Sequence, residues 1–272
     1  MSLKRLEQLL QISRRPLIST VVLNRNRVRL LRLTVESYLA TVQVPYELII
    51  VDSASSDESR QFIETICRKD RRHSTILLDE NIGGGEAINL GLRSARGRYL
   101  HISENDIQYL AGWDRELLSK FDTFPELGQL SPMSPDPPEG EVAWRRPASS
   151  ITRGNSTIWL VEPKIGQLHT TCLCRREVWD RGGRWRSFES KRPDDYSASK
   201  MIQQMGYWVA WNDKYTVVNV GHMIEEWQRN PTYYVEDYEG KPAVGVDGLR
   251  RRLRAKGYDL IEENGRHKIA KL

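Results

Sequence analysis

The sequence predicts an α/β fold with a mostly parallel central sheet flanked by helices, Rossmann-like in its first half. Three observations predict it. Short β-branched apolar runs alternate with longer stretches of helical spacing over the first half of the chain. Each run ends in a polar or acidic cluster. A glycine-rich turn, Asn81-Ile82-Gly83-Gly84-Gly85, joins the third run to the helix after it.

Residues 18–23 form a β-branched run and are read as a buried strand. Residues 29–41 place Leu30, Leu31, Val35, Tyr38 and Leu39 at near-helical spacing. Leu48-Ile49-Ile50-Val51 is the second strand, and it ends in Asp52. Ser56-Asp57-Glu58-Ser59 is a helix start with acids suited to the helix dipole, and residues 60–69 continue it. Residues 76–78 are the third strand, 85–95 a helix and 99–102 the fourth strand. After Leu130 the prolines 132, 135, 137 and 138 interrupt regular structure, and Arg153-Gly154-Asn155 extends the irregular stretch. Regular pattern returns as a strand over 169–174, helices over 176–181 and 196–205, and strands over 208–211 and 215–220. From Glu225 onward the chain reads as a polar, basic tail packed on the domain, with one short helix near 247–256. The organisation expected is thus a first half over 1–130, a second half over 131–224 with a flexible loop near 132–155, and a basic extension over 225–272.

With 39% hydrophobic and 28% charged residues in 272, the chain reads as an ordinary soluble protein. No apolar run approaches the ~20 residues that cross a bilayer. The segment Met1-Ser2-Leu3-Lys4-Arg5-Leu6-Glu7 has no signal-peptide core, so cytoplasmic residence is the expectation. Cys67, Cys172 and Cys174 leave no paired C-x-x-C, which argues against a disulfide framework and a zinc site. The net charge of +5 is concentrated in basic islands at Arg145-Arg146, Arg175-Arg176, 184–192 and 250–254. These suit a nucleotide, an acidic glycan or an anionic membrane surface at the inner face, or are simply solvated. No nucleic-acid-binding motif occurs among them.

In open parallel sheets ligands sit at the carboxyl ends of strands. Those ends carry Asn24-Arg25-Asn26-Arg27, Asp52-Ser53-Ala54-Ser55-Ser56-Asp57, Asp79-Glu80-Asn81 and Glu104-Asn105-Asp106. Backbone amides at a glycine turn approach phosphate, and carboxylates at a neighbouring strand end can hold a divalent ion bridging those phosphates.

In this order the residues resemble a known family. Asn26-Arg27, Val51-Asp52-Ser53-Ala54-Ser55-Ser56-Asp57, Asn81-x-Gly83 with Ala87-x-Asn89-x-Gly91, and Ala95-x-Gly97 before the acidic triplet are similar to the family 2 glycosyltransferases of GT-A fold. The likeness continues through Gly112-Trp113, Cys174-Arg175-Arg176-Glu177-Val178, Gly182-Gly183, Asp194-Asp195 and Met205-Gly206-Tyr207, covering about residues 17–222. The resemblance implies an inverting transfer from a nucleoside-diphosphate sugar, UDP- or GDP-linked, to a carbohydrate, lipid-linked or small-molecule acceptor, with 1–130 as the nucleotide-sugar-binding half and 131–224 as the acceptor-binding and catalytic half. It implies that Asp52 bonds the nucleotide base, that Leu23, Asn24, Arg25 and Arg27 form the pocket wall, and that Asn81, Gly83, Gly84 and Gly85 line ribose and diphosphate. Glu104 and Asn105 would support Asp106, the ligand for Mn²⁺ or Mg²⁺, with His222 as a second ligand. Where family members commonly carry Asp-x-Asp, this chain has Glu104-Asn105-Asp106, a departure that touches metal dependence. Asp195 corresponds to the general base, with Asp194 beside it, and Trp113, Arg184 and Trp185 are weaker acceptor candidates.

Plainer readings stand beside these. Asp52 also suits a turn cap, His222 a structural histidine, and Pro193-Asp194-Asp195 a helix N-cap. Trp144, Trp159 and Trp185 suit a core as well as a sugar-stacking face, and one of the three is expected at the acceptor. A nucleotidyltransferase-like enzyme and a catalytically inactive glycan- or nucleotide-binding relative remain as alternatives. A dinucleotide-binding dehydrogenase is disfavoured, since the glycines follow the third strand and lack G-x-G-x-x-G spacing.

Overall fold

The computed structural model describes residues 15–134, 147–161, 171–185, 194–239 and 245–272. Thirteen strands and nine α-helices are assigned among them. The first four strands, β1 (Ile18–Asn24), β2 (Tyr46–Ser53), β3 (His73–Leu78) and β4 (Tyr99–Ser103), are joined by α1 (Val28–Thr41), α2 (Ser59–Lys69) and α3 (Gly84–Ser94). They pair in parallel in the order β3-β2-β1-β4, so their carboxyl ends share one edge. Beyond β5 (Ile107–Tyr109) and α4 (Trp113–Thr123), the sheet continues through β6 (Leu127–Met133), β7 (Pro147–Arg153), β8 (Ser156–Val161) and β9 (Cys172–Arg175). α5 (Arg176–Asp180), α6 (Asp194–Gln204) and β10 (Trp208–Tyr215) complete it. The full order of nine strands is β3-β2-β1-β4-β9-β6-β10-β8-β7. β9 runs antiparallel between β4 and β6, β10 is parallel to β6, and β8 and β7 close the edge antiparallel.

The continuous apolar runs follow from a sheet buried on both faces. Ile18 and Val22 of β1 and Leu48 and Ile50 of β2 face one core, with Leu31, Val35 and Tyr38 of α1, Phe62 of α2 and Trp113 of α4. Val21, Ile49 and Val51 face the other, with Ala87, Ile88 and Leu92 of α3 and Ala198 and Ile202 of α6. α3 crosses the sheet so closely that a methyl group on Gly91 would come within 2.5 Å of Val21 Cγ1. Cys172 and Cys174 are free, buried side chains on one face of β9, as their alternation predicts.

Several expectations need correction. The irregular stretch over 132–155 is largely strand where it is described. β6 extends to Met133, and Arg153-Gly154-Asn155 belongs to a β7–β8 hairpin whose Gly154 takes φ 57°. Residues 135–146, with Trp144, Arg145 and Arg146, lie outside the described residues. The strand expected over 169–174 begins at Cys172, with 169 and 170 also outside. Residues 208–215 are one strand, and β11 (Val217–Asn219) pairs with β5 in a separate two-stranded sheet. The C-terminal region is no simple tail. α7 (Ile224–Arg229), α8 (Pro231–Glu239), α9 (Gly245–Ala255) and the hairpin β12 (Tyr258–Glu263)–β13 (Arg266–Lys271) enclose their own core of Trp227, Tyr234, Val235, Tyr238, Leu249, Leu253, Leu260 and Ile269.

Candidate nucleotide-sugar site

The polar ends of β1, β2 and β4 are wired together. Asn24 Nδ2 donates to Asp52 Oδ1 at 2.8 Å, and Asn105 Nδ2 donates to Asn24 Oδ1 at 2.8 Å. Asp52 also accepts from Ser55 N at 3.0 Å, Ser55 Oγ at 2.5 Å and Arg60 Nε at 3.1 Å. Arg60 further donates to the Leu78 carbonyl, tying the end of β3 to the same group. Asp52 has 0% exposure. Both its oxygens accept from protein donors, which hold the turn in shape. Leu23 is half-buried and Arg25 exposed beside it.

Two site turns contain left-handed residues that are not glycine: Asn26 at φ 56°, Arg27 at φ 58° and Ala54 at φ 56°. Each such conformation costs about 1 kcal/mol or more and persists only where surroundings hold it. Here the turns hold each other. Asn26 N donates to Ser55 Oγ at 2.7 Å, and Ser56 N donates to Asn26 Oδ1 at 2.9 Å.

The twist in this turn aims Arg27 at the acidic triplet. Its Nη2 donates to Asn105 Oδ1 at 2.5 Å and to Asp106 Oδ2 at 3.1 Å. The two side chains of this ion pair are 16% and 9% exposed. Burial works against the charge on Arg27. Asp106 and the hydroxyls of Tyr233 and Tyr234 outweigh it and raise the guanidinium pKa. The Arg27 Cζ lies 5.1 Å from the ring centre of Tyr233 in α8. Asp106 itself rests on glycine backbone: a methyl group on Gly221 would come within 2.0 Å of its Oδ2. Val220 N donates to the Asp106 carbonyl at 2.9 Å, so the 3₁₀ turn Val220–His222 is docked on the triplet. His222 is half-buried, one residue beyond that glycine. The turn is held from behind by Trp227 Nε1 and Tyr234 Oη, which donate to the Gly221 carbonyl at 2.7 and 3.2 Å.

After β3 the chain passes exposed Asn81, whose Oδ1 accepts from Gly83 N at 3.2 Å. Gly83 takes φ 87°, and α3 starts at Gly84 with no side-chain cap. Its first amides, at Gly84 and Gly85, are therefore available to an anion. Farther along α3, Asn89 clasps the Trp185 backbone. The helix α6 begins at Asp194, the position of the Asp194-Asp195 pair. The side chains of both, and residue 186, lie outside the described residues.

Two acceptor expectations are corrected. Trp113 is 0% exposed, packed against Tyr38, His101 and Tyr109, and its position under the sheet leaves no face for a sugar. Trp185 is likewise buried, in the core beside α3 and α6. Arg184 is exposed, but its guanidinium lies 3.6 Å from the ring centre of Trp179. Glu226, Trp227, Tyr233 and Tyr234 were not expected at the site, and Arg60 and Ser55 were expected only as parts of a helix and of a strand-end turn. The signals available were the basic side chain of Arg60 in the first turn of α2, just after Asp57 and Glu58, and the aromatic density of 227–238.

The oxygen chemistry of Glu104, Asn105 and Asp106 fits a hard divalent ion, and a cation already sits on the Asp106 carboxylate in the form of Arg27. Among the described residues, no group of three His, Cys, Asp or Glu is gathered closely enough to hold a metal.

A sheet whose first four strands run parallel, with a wired polar edge, an uncapped helix start and a buried carboxylate at that edge, defines an α/β protein with a candidate anion site. The chain belongs to glycosyl transferase family 2, whose family model matches residues 19–182. It is 31% identical over 106 residues to the putative teichuronic acid biosynthesis glycosyltransferase TuaG of Bacillus subtilis, a match spanning 39% of this chain and 40% of that one. The fold is GT-A. The mannosyltransferase PcManGT from Pyrobaculum calidifontis, in complex with GDP-Man and Mn²⁺, superposes with a TM-score of 0.61 at 18% identity, covering 89% of this chain and 64% of that one. S. aureus TarS 1-349 in complex with UDP-GlcNAc gives 0.56 at 14% identity, covering 87% and 72%. No helix among the described residues is long and apolar enough to cross a membrane.

Proposed function

We propose that this protein moves a sugar from a UDP- or GDP-linked donor to an acceptor hydroxyl with inversion at the anomeric carbon. The observation that carries this reading is the hydrogen-bonded chain Asp52–Asn24–Asn105, which ends on Arg27 and Asp106, within a family 2 fold. Support comes from PcManGT with GDP-Man and TarS with UDP-GlcNAc, which share the fold.

In this reading residues 1–130 bind the donor and 131–224 the acceptor. Leu23, Arg25 and the turn that Asp52 organises wall the base pocket. The amides of Gly84 and Gly85 face the diphosphate, with Gly83 shaping the turn before them, while Glu104 and Asn105 lie on the ribose side. Asp106 and His222 hold Mn²⁺ or Mg²⁺, which when bound supplies Lewis-acid stabilisation of the departing diphosphate. Asp195, with Asp194 beside it, takes the proton of the acceptor hydroxyl. The oxygen then attacks the anomeric carbon, and the bond to diphosphate breaks with its electron pair leaving on the nucleotide. The acceptor is a carbohydrate, a lipid-linked sugar or a small molecule; the relative TuaG is named for teichuronic acid biosynthesis. The protein works in the cytoplasm, with its basic segments toward the inner membrane face.

Binding and hydrolysis of a panel of nucleoside-diphosphate sugars, with and without Mn²⁺, tests this. One nucleotide series should bind with Mn²⁺ and lose affinity in Asp106→Ala. Asp195→Asn should abolish transfer with donor affinity unchanged. Failure of every sugar nucleotide to bind overturns the reading.

A further inference from the structure

The cation on Asp106 comes from the chain itself, and the C-terminal region holds it there. Arg27 reaches both Asn105 and Asp106 from a left-handed backbone, a conformation an arginine adopts only under constraint. The constraint comes partly from α7 and α8. Tyr233 lies against the guanidinium, Tyr234 hydrogen-bonds it, and Glu226 pairs with Arg29 two residues along. The same module grips the glycine on which the carboxylate rests, through Trp227 and Tyr234. A carboxylate so placed cannot serve a divalent ion and a buried guanidinium equally, because two cations sharing one anion repel each other.

We propose that Arg27 is a resident counter-ion that competes with the divalent ion for Asp106, and that Tyr233 and Tyr234 of the C-terminal module hold it in the competing position. The nucleotide-free protein then binds the ion weakly, and ion and sugar nucleotide enter together, since the added phosphate charge offsets Arg27. That the ion travels with a sugar nucleotide rests on the function proposed above. The competition itself does not.

Mn²⁺ titration of the nucleotide-free full chain, with free ion followed by electron paramagnetic resonance, tests it. Arg27→Gln should bind Mn²⁺ about ten-fold more tightly than the parent chain, and adding Asp106→Asn should erase that gain. Tyr233→Leu, at a half-exposed position that leaves the arginine in place, should gain roughly three-fold. This second variant decides the matter where Arg27→Gln does not fold. Unchanged Mn²⁺ affinity in the folded variants overturns the proposal, as does a gain that survives Asp106→Asn. If no sugar nucleotide binds while Arg27→Gln still gains Mn²⁺ affinity, the glycosyl-transfer reading fails and the competition stands.

Discussion

Asn89 and Trp185 lie 96 positions apart, yet the side-chain amide of one holds the backbone of the other from both sides. Nδ2 donates to the Trp185 carbonyl at 2.6 Å, and Oδ1 accepts from the Trp185 amide at 3.0 Å. This clasp ties the helix behind the glycine turn to the segment that leads toward α6. Asn89→Ala should therefore lower stability by about 1–3 kcal/mol, as two partly buried backbone groups lose their partner. Chemical denaturation reads the loss, and amide exchange at Trp185 should accelerate with it.

Gly221→Ala makes a sharper probe of the acidic triplet. The added methyl group would fall 2.0 Å from Asp106 Oδ2, so the carboxylate must move off its seat. The expected outcome is a cooperatively folded protein with sugar-nucleotide affinity reduced ten-fold or more (~1.4 kcal/mol). Calorimetric titration beside a thermal melt separates the two effects.

The buried hub at Asp52 yields a pair of contrasting variants. Asp52→Ala leaves Asn24, Ser55 and Arg60 without their acceptor and should cost about 3 kcal/mol or more. Asp52→Asn keeps the shape and most of the bonds. It should retain nucleotide binding if the residue shapes the turn, and lose it if the carboxylate reads the base directly. A side-by-side binding measurement distinguishes the roles.

His101 predicts a pH dependence. Its Nδ1 lies 2.9 Å from the Cys172 carbonyl and its Nε2 2.7 Å from the Tyr109 hydroxyl, and burial lowers its pKa to about 4. Between that value and the unfolded value near 6.5 the unfolded chain binds the extra proton, so stability falls as pH drops through this window. The loss should be on the order of 2–3 kcal/mol from pH 7.5 to pH 4. In His101→Gln this contribution should vanish, leaving the shallower dependence due to carboxylates. Urea midpoints across pH in both proteins check it.

The parallel half was legible because both faces of β1, β2 and β4 are covered, and two-sided burial writes itself as unbroken β-branched runs. The glycine turn and acidic triplet were legible for the same local reason, each lying at a strand end. Long-range partners were not. Arg27 meets Asp106 across 79 positions, and nothing in Asn26-Arg27 itself names that destination. The C-terminal module misled because charged residues dominate its composition while Trp227, Tyr234, Tyr238, Leu249 and Leu253 sit far enough apart to look incidental. Its hairpin did carry a signal. Asn264-Gly265, at φ 52° and 71°, is the two-residue turn that joins β12 and β13. Trp113 misled in the opposite sense: an aromatic next to a site motif serves the aromatic cluster beneath the sheet.

The family match ends at residue 182, but the contacts that settle Asp106 continue through Gly221 to Tyr234. A catalytic core trimmed at the family boundary, or grafted onto another protein's C-terminal portion, would carry the acidic triplet without its seat and Arg27 without its aromatic wall. Such chimaeras would carry Asp106 on a different support, making the last fifty residues a place to change how that carboxylate is held without touching a single residue of the matched core.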